Sequence, residues 1–306
     1  MTAETVFLVN PASAGGSTGK RWPEIAHRCA SLGLTGDTLF SEQQGHLASL
    51  ARRAVEEGAR RLVVVGGDGS VNEVVNGIGD LDLGDVEVAV LPHGTGWDFV
   101  RTFDISRKLD EAIRTALEGS VREIDLGRVD FRTWAGAESR AYFANVGSAG
   151  ISGAIAKRAN ETSKSFGGKV SYYWATIAVF FGWQIGEVRV SVDDETRSGR
   201  MIDVLVTNGR YVAGGMMMCP EAEPDDGLFD VLLIGDVTKR DLAFVLPKTY
   251  RGKHLPHPRL ELLRGRVVTV DADEPLPIEL DGEQPGTTPA RFEVLPRALR
   301  LRVPSV

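Results

Sequence analysis

Apolar runs and helical periods alternate through the first third of the chain, and this alternation is the strongest constraint on its fold. Short runs rich in Val and Leu predict strands, and patterns with apolar residues at helical spacing predict helices between them. Near-continuous apolar strands separated by helices are typical of a parallel sheet covered on both faces. In chain order, the predicted strands are "VFLVN", "LTGDTLFS", "RRLVVVGG" and "VEVAVLPHGTG", and the predicted helices are "RWPEIAHRCASLG", "GHLASLARRAVEEG" and the start of one at "SVNEVVNGI".

After about Ile124 the pattern changes to strand-like runs punctuated by turn residues, which predicts a β-rich, sandwich-like second domain. We expect an α/β domain over residues 1–127, onto which residues 296–306 pack back, and a β-rich domain over residues 128–295. Helical patterns in the second domain are limited to "SGAIAKRANETS", the aromatic stretch at 171–185 and "TKRDLAFVLPKTYRG".

Length, charge and cysteine content limit the classes of protein. With 306 residues, the chain is long enough for two domains. The net charge of −7 argues against a general nucleic-acid binder, which needs clustered cations. Cys29 and Cys219 are too few for a disulfide framework or a zinc site, so we expect both to be buried. No basic segment precedes the first apolar run, and the longest apolar stretch is shorter than the roughly 20 residues that span a bilayer. We therefore expect a cytoplasmic protein.

Three glycine-rich loops follow strands, after Asn10, Val65 and Leu91. In open α/β sheets ligands bind beyond the carboxyl ends of the strands, so the three loops predict one site. The standard phosphate motifs both fail: a dinucleotide fingerprint from Gly67 would need glycine at Asn72, and a P-loop would need glycine at Ala14. Glycines before a helix N-terminus nevertheless suit phosphate, because they expose unpaired N–H donors.

The loop "GGDGS" contains a carboxylate, Asp68, which would repel a polyphosphate unless a divalent cation lay between them. Mg²⁺ uses one or two carboxylates together with substrate phosphates. Glu73, at the start of the next helix, is a candidate second acid. The alternative is that Asp68 and Gly69 form a plain turn and Glu73 complements the helix dipole.

Several motifs occur together in the order of a known family. With them, the chain resembles the diacylglycerol-kinase catalytic family, specifically its soluble bacterial lipid kinases, which are related to sphingosine and ceramide kinases. The resemblance covers nearly the whole chain. Ser70 replaces the usual threonine, and Trp97 stands where the family usually has asparagine. The motifs are "VNPASAGGSTGK", "GGDGSVNEVVNGI", "LPHGTGWDFVRTF", "DLGRVD", "YFANVGSAGISG", "DDGLFDV", "GKHLPHP" and "ELDGEQPG".

The resemblance implies an ATP cleft between the two domains and assigns residues to it by position. Asp68 is implied to lie near the triphosphate and its catalytic Mg²⁺, Asp281 to be the proton acceptor, and Glu283 to be its acidic partner. From the residues alone, Asp281-Gly282 is equally the signal of a hairpin turn. The implied ATP-binding residues are Asn10, Pro11, Ala12, Ser13, Ala14, Ser41, Gly66, Gly67, Asp68, Gly69, Ser70, Asn72, Glu73, Gly94 and Thr95.

A structural Mg²⁺ site is implied by the resemblance at "PEAEPDDGLFD", with Glu223, Asp226 and the carbonyl of Leu228 as ligands. Oxygen donors suit a hard cation. The alternative is a turn leading into the strand "LFDVLLI".

For a lipid route, the aromatic stretch "SYYWATIAVFFGWQIG" either lines an acyl pocket or is a buried helix. The basic cluster "KTYRGKHLPHPRL" either attracts anionic headgroups or is a solvated surface.

These observations predict an ATP- and Mg²⁺-dependent kinase that phosphorylates a hydroxyl of a diacylglycerol-like lipid. We expect peripheral contact with a membrane and no nucleic-acid partner. A homodimer is compatible with the sequence, which does not fix the oligomeric state. The alternatives are an NAD kinase-like enzyme, a kinase of sphingoid bases or other lipids, and a nucleotide-binding regulator without catalysis, an alternative that Trp97 keeps open.

Overall fold

The computed structural model describes residues 4–94, 96–162, 179, 182, 183 and 185–305. The chain divides into two compact units, Met1–Leu126 with Pro296–Val306, and Gly127–Leu295. Thr95 and most of the aromatic stretch at 171–185 lie outside the described residues.

The first unit has a parallel sheet in the order β2, β1, β3, β4. Valines dominate β3, where Val63, Val64 and Val65 are completely buried, as expected for strands covered on both faces. Near the chain end, Arg300 and Leu301 pair in parallel with β4. The strands are β1 (Thr5–Val9), β2 (Asp37–Phe40), β3 (Arg61–Gly66) and β4 (Glu87–Pro92).

Helices cover the sheet of this unit. Trp22 and Ile25 of α1 and Ile113 of α5 share a core with alternate strand residues such as Val63. The other helix pair, α2 and α3, packs so closely that a Cβ at Gly77 would lie 2.2 Å from the Ala48 carbonyl oxygen. The helices are α1 (Ser17–Ser31), α2 (His46–Glu56), α3 (Asp68–Ile78), α4 (Asp98–Thr102) and α5 (Leu109–Glu118).

The second unit is built mainly from antiparallel strands around a core of Val, Phe, Leu and Ile side chains. Two long strands, β5 and β16, have residues in both units. The strands are β5 (Ser120–Thr133), β6 (Glu138–Phe143), β7 (Val146–Gly150), β8 (Gly186–Val192), β9 (Glu195–Thr207), β10 (Tyr211–Val212), β11 (Met216–Met217), β12 (Phe229–Gly235), β13 (Leu260–Gly265), β14 (Val267–Ala272), β15 (Ile278–Leu280) and β16 (Gly286–Val303).

Two described helices of this unit, α6 (Ile151–Thr162) and α7 (Lys239–Thr249), correspond to predicted helical patterns. A capping box begins α7: the Thr238 hydroxyl accepts the N–H of Asp241 at 3.2 Å, and the Asp241 carboxylate accepts the N–H of Thr238 at 2.8 Å. Among the described residues, no helix has both the length and the apolar character needed to cross a membrane. The fold class, an α/β unit followed by a β-rich unit, is confirmed.

Candidate functional site

Asn10 joins the first strand-end loop to the start of α3. Its side-chain amide donates to the Ser70 hydroxyl at 3.1 Å, while its side-chain oxygen accepts the N–H of Ala12 at 3.1 Å. Ser41, at the end of β2, is buried beside this loop and donates its N–H to the Val9 carbonyl at 3.0 Å. The structure therefore brings Asn10, Ser41 and Ser70 together at the carboxyl edge of the sheet.

The hydroxyls of Ser13 and of the buried Thr18 fix the next part of the same loop. Ser13 donates to the carbonyl of Asn10 at 2.9 Å, and the Thr18 hydroxyl lies 2.7 Å from Nδ1 of His93. Burial, with the positive charge of Arg21 second, holds the pKa of His93 below its ordinary value. Thr18 and His93 were not predicted as site residues, although His93 follows Pro92 at the same sheet edge as the predicted loops.

The glycine-rich loops approach each other backbone to backbone. A Cβ at Gly94 would lie 2.5 Å from the Cα of Gly67, and a Cβ at Gly66 would lie 2.2 Å from the Ser70 hydroxyl. Only glycine fits at these two positions without a shift of the loop. The sequence prediction that the three loops converge at one edge is therefore consistent with the structure, and Thr95 lies outside the described residues.

Asp68 is the first residue of α3, and its carboxylate holds the third loop. Its Oδ2 accepts the N–H of Asp98, the first residue of α4, at 3.1 Å. A Cβ at Gly96 would lie 2.5 Å from the same oxygen, so the loop wraps closely around this carboxylate. Carboxylate oxygens are ligands that Mg²⁺ uses in proteins, so the chemistry of Asp68 fits this ion.

Two predicted nucleotide residues have specific protein partners. Glu73 Oε2 accepts the N–H of Leu47 at 3.0 Å, at the start of α2, where a carboxylate complements the helix dipole. The backbone carbonyl of Asn72 accepts the side-chain amide of Asn76 at 2.9 Å. The contact caps α2, whereas the alternative interpretation had Glu73 complementing the dipole of its own helix. The role of Glu73 toward nucleotide stays a prediction.

Trp97, where the family pattern has asparagine, lies against Arg107, whose guanidinium carbon is 4.1 Å from the ring centroid. This is a cation–π contact. At the position where the family pattern has an amide, the indole therefore stacks with a cation of its own unit.

Asp281 and Gly282 form the tight turn that the Asp-Gly signal predicts. Both have left-handed backbone angles, φ +49° and +95°, and Leu280 and Glu283 bond each other's backbones at 2.9 Å. The Asp281 carboxylate accepts three backbone N–H bonds, from Ala144, Asn145 and Val146, at 2.9–3.0 Å.

Those three donors fix the orientation of the predicted proton acceptor. A carboxylate has about four lone-pair positions, so three bonds restrict its orientation strongly. Asn208 holds the donor segment in turn, because its side-chain amide donates to the Ala144 carbonyl at 3.0 Å. The structure thus holds the Asp281 carboxylate in one orientation, and the backbone of Glu283 pairs with Leu280 across the same turn.

Two further carboxyls lie buried behind this turn. Glu279 accepts the N–H of Gly282 and contacts the Ser148 hydroxyl at 3.2 Å. Burial raises the pKa of Glu279 to about 8, and the nearby charges of Asp281 and Asp203 raise it as well. Burial likewise raises the pKa of Asp203 to about 7.

Asp203 faces the beginning of α6. Its Oδ2 accepts the N–H of Ser152 at 3.2 Å and also bonds the Ser152 hydroxyl. Glu279 and Asp203 were not predicted as site residues. For Glu279, the apolar alternation in "PIEL" would place the side chain on a solvent-facing side of the strand. No sequence signal identifies them as buried.

At the predicted structural Mg²⁺ site, formed by Glu223, Asp226 and Leu228, the aspartate already has protein partners. The Asp226 carboxylate forms an ion pair with Arg264, and its Oδ1 accepts the N–H of Leu228 at 2.9 Å. Arg264 also lies 3.6 Å from Asp230, a buried carboxyl whose pKa is raised to about 6 by burial. The guanidinium therefore already supplies the positive charge here. Within the described part of the chain, no group of three or more His, Cys, Asp or Glu residues could hold a metal ion.

Comparisons with known proteins match both units to domain families. Residues 4–129 match the diacylglycerol kinase catalytic domain, and residues 145–303 match the YegS C-terminal NAD kinase beta sandwich-like domain. The NAD kinase likeness thus concerns the C-terminal domain.

Relatives of similar length match most of this chain. A diacylglycerol kinase of Staphylococcus carnosus is 26% identical over 298 residues, which cover 97% of this chain and 94% of the relative. A Shewanella frigidimarina protein named "Probable lipid kinase YegS-like" is 29% identical over 278 residues, 89% of this chain and 85% of that protein. A crystal structure described as a diacylglycerol kinase from Bacillus anthracis superposes with a TM-score of 0.74 at 22% identity, covering 99% and 98% of the two chains, which shows a shared fold.

Proposed function

This chain belongs to the diacylglycerol kinase family of lipid kinases with a YegS-type C-terminal domain, and from that premise we propose that it transfers the γ-phosphate of ATP to a hydroxyl of a diacylglycerol-like lipid. The observation that carries the proposal is the close approach of the Gly66–Gly67 and Gly94 backbones beside the N-terminus of α3. Such a surface leaves room and N–H donors for phosphate.

In the first unit, hydrogen bonds hold in place the loops that bind and orient the nucleotide. The Asn10–Ser70 bond holds the first loop against the start of α3, and the Asp68–Asp98 bond holds the third loop there. Mg²⁺, when bound, would neutralise charge on the transferring phosphoryl group, and Asp68 is the residue that would hold it. Because the loops are fixed by protein contacts, little ordering is left to occur when nucleotide binds.

In the second unit, we assign Asp281 the role of proton acceptor, with Glu283 as its acidic partner. A carboxylate near a primary alcohol orients the hydroxyl and accepts its proton as phosphoryl transfer proceeds. Three backbone bonds hold this carboxylate, so its orientation is fixed before substrate arrives. Peripheral contact with a membrane follows from the substrate class, and a homodimer stays compatible with these assignments.

The decisive test is transfer of labelled γ-phosphate from ATP to a panel of lipids in mixed micelles, with NAD as a soluble acceptor. We expect label on a diacylglycerol-like lipid, in a Mg²⁺-dependent reaction. Label on NAD would overturn the assignment in favour of the NAD kinase alternative. Label on sphingoid bases alone would replace the diacylglycerol assignment. The absence of transfer with retained ATP binding would favour the catalytically silent regulator.

Variants assign the roles. Asp281→Asn should lose turnover by about 10²-fold or more while ATP binding is retained. The asparagine amide would face the Ala144 N–H, so thermal unfolding must be measured alongside to exclude local unfolding. Asp273→Asn, an exposed aspartate of the same unit, is the matched control and should leave turnover unchanged. Full activity of a folded Asp281→Asn protein would refute the proton-acceptor role.

A further inference from the structure

The outer side of α7 presents an exposed aromatic residue. Phe244 is 74% exposed, more than any other large hydrophobic side chain in the described part of the chain. Single exposed apolar residues are common, so exposure alone assigns nothing. What distinguishes Phe244 is the set of residues around it.

Residues at i, i+4, i+7, i+8 and i+11 share one side of a helix and its continuation. On α7 these positions are Arg240, Phe244, Pro247, Lys248 and Arg251, and all five are exposed. We call these five residues the α7 outer face. The opposite side of the helix packs against its own unit, as the buried Thr249 shows.

The α7 outer face is positively charged, although the chain carries a net charge of −7. Arg240, Lys248 and Arg251 form no ion pair with any residue that the structure describes. The one acidic residue of the helix, Asp241, is engaged elsewhere: it caps the helix through Thr238 and lies 3.6 Å from His257.

We propose that the α7 outer face docks on an anionic membrane surface, with Phe244 entering the headgroup region and the three cations contacting lipid phosphates. This rests on the proposed function, because a lipid kinase must reach a substrate that resides in a bilayer. An aromatic residue flanked by Arg and Lys on an exposed helix is the pattern of interfacial helices. A second copy of the chain fits poorly, since a two-fold contact would bring the same cations face to face.

The first experiment measures binding without nucleotide. The protein is sedimented with vesicles of phosphatidylcholine and phosphatidylserine in a ratio of about 7:3, and with pure phosphatidylcholine vesicles. We expect binding to the anionic vesicles only, weakened by salt. Phe244→Ala should weaken it about tenfold, and the double variant R240Q/R251Q about 25-fold, at about fivefold per cation.

Matched controls are Phe40→Ala, another exposed phenylalanine, and the double variant R53Q/R60Q, which removes two exposed cations of the other unit. Both controls should bind vesicles as the wild type does. Equal binding by Phe244→Ala, R240Q/R251Q and the wild type would overturn the proposal. Loss of a concentration-dependent dimer in Phe244→Ala, without loss of vesicle binding, would assign the face to a second copy instead.

The kinase assay separates this proposal from the proposed function. With a short-chain diacylglycerol dispersed as monomers, Phe244→Ala should turn over like the wild type, and with substrate in anionic vesicles it should be slower. If the wild type phosphorylates no lipid, the proposed function fails while the vesicle experiment still gives its own answer. If Phe244→Ala were as active as the wild type on both substrates, a docking role would be refuted.

Discussion

Replacing Glu279 with glutamine should change how stability depends on pH. The glutamate is buried, accepts the N–H of Gly282 and contacts the Ser148 hydroxyl. Glutamine has the same shape: its oxygen can accept from Gly282 and its amide can donate to Ser148. Because the variant cannot lose a proton at this position, it isolates the titration of one buried group.

The magnitude follows from the pKa of Glu279, which burial raises from the ordinary 4.5 to about 8. Between these values the folded protein holds one proton more than the unfolded chain, so the unfolding free energy falls as pH rises. The slope is ~1.4 kcal/mol per pH unit. Over the interval the total is about 5 kcal/mol as an upper value. The contribution is fully present below pH 4.5 and is lost as pH rises to about 8.

Urea unfolding of the wild type and Glu279→Gln from about pH 5.5 to about pH 7.5 tests this. The stability of the variant relative to the wild type should increase by roughly 3 kcal/mol across that range and level off above about pH 8. Glu274→Gln, an exposed glutamate of the same unit, is the control and should show no such trend. A pH-independent difference between Glu279→Gln and the wild type would refute the buried, protonated state of Glu279.

Three further predictions test other parts of the structure. EDTA should leave the Tm of the nucleotide-free protein unchanged, because the Arg264 guanidinium already supplies the positive charge beside Asp226. The variant Arg264→Leu lacks that charge and should gain Tm when Mg²⁺ is added. A drop in wild-type Tm with EDTA would contradict this role of Arg264. Burial raises the pKa of the Cys29 thiol to about 11 and that of Cys219 to about 12, so both should resist Ellman's reagent until guanidinium unfolds the chain. Gly77→Ala, whose Cβ would lie 2.2 Å from a carbonyl oxygen of α2, should cost about 1–3 kcal/mol in urea unfolding.

Much of the α/β unit could be predicted because its strands are continuous Val and Leu runs and its helices have clear apolar periods. The start of α1 was placed too late, at Arg21, since "STG" is typical of a loop. In the structure α1 begins at Ser17. Thr18 is fully buried against His93, and Gly19 packs so closely on Pro11 that a Cβ would lie 2.8 Å away. Tertiary contacts therefore determine that the first turn of α1 is helical, and such contacts cannot be read from the helix propensity of these residues.

The site shows the same limit in its polar residues. Asp68 was predicted from its position beside the glycine loop, but its bond to the Asp98 N–H depends on a loop thirty residues later. Asp226 was predicted as a metal ligand, but the sequence did not reveal that Arg264, on strand β13, forms an ion pair with it; the metal site stays a prediction. Sequence position identifies these carboxylates as candidate site residues. Their hydrogen-bond and ion-pair partners lie in distant segments, which only the folded structure brings close.

For Asp281 the two sequence interpretations, a hairpin turn and a proton acceptor, are compatible. A left-handed backbone angle costs a residue such as aspartate about 1–2 kcal/mol. Here three backbone N–H groups, from Ala144 to Val146, bond the carboxylate, and hydrogen bonds to a charged group contribute about 1.5–3 kcal/mol each. The bonds outweigh the strain, and they form because the turn directs the side chain toward that segment. The hairpin geometry is therefore the means by which the carboxylate is held in one orientation, as a positioned acceptor requires.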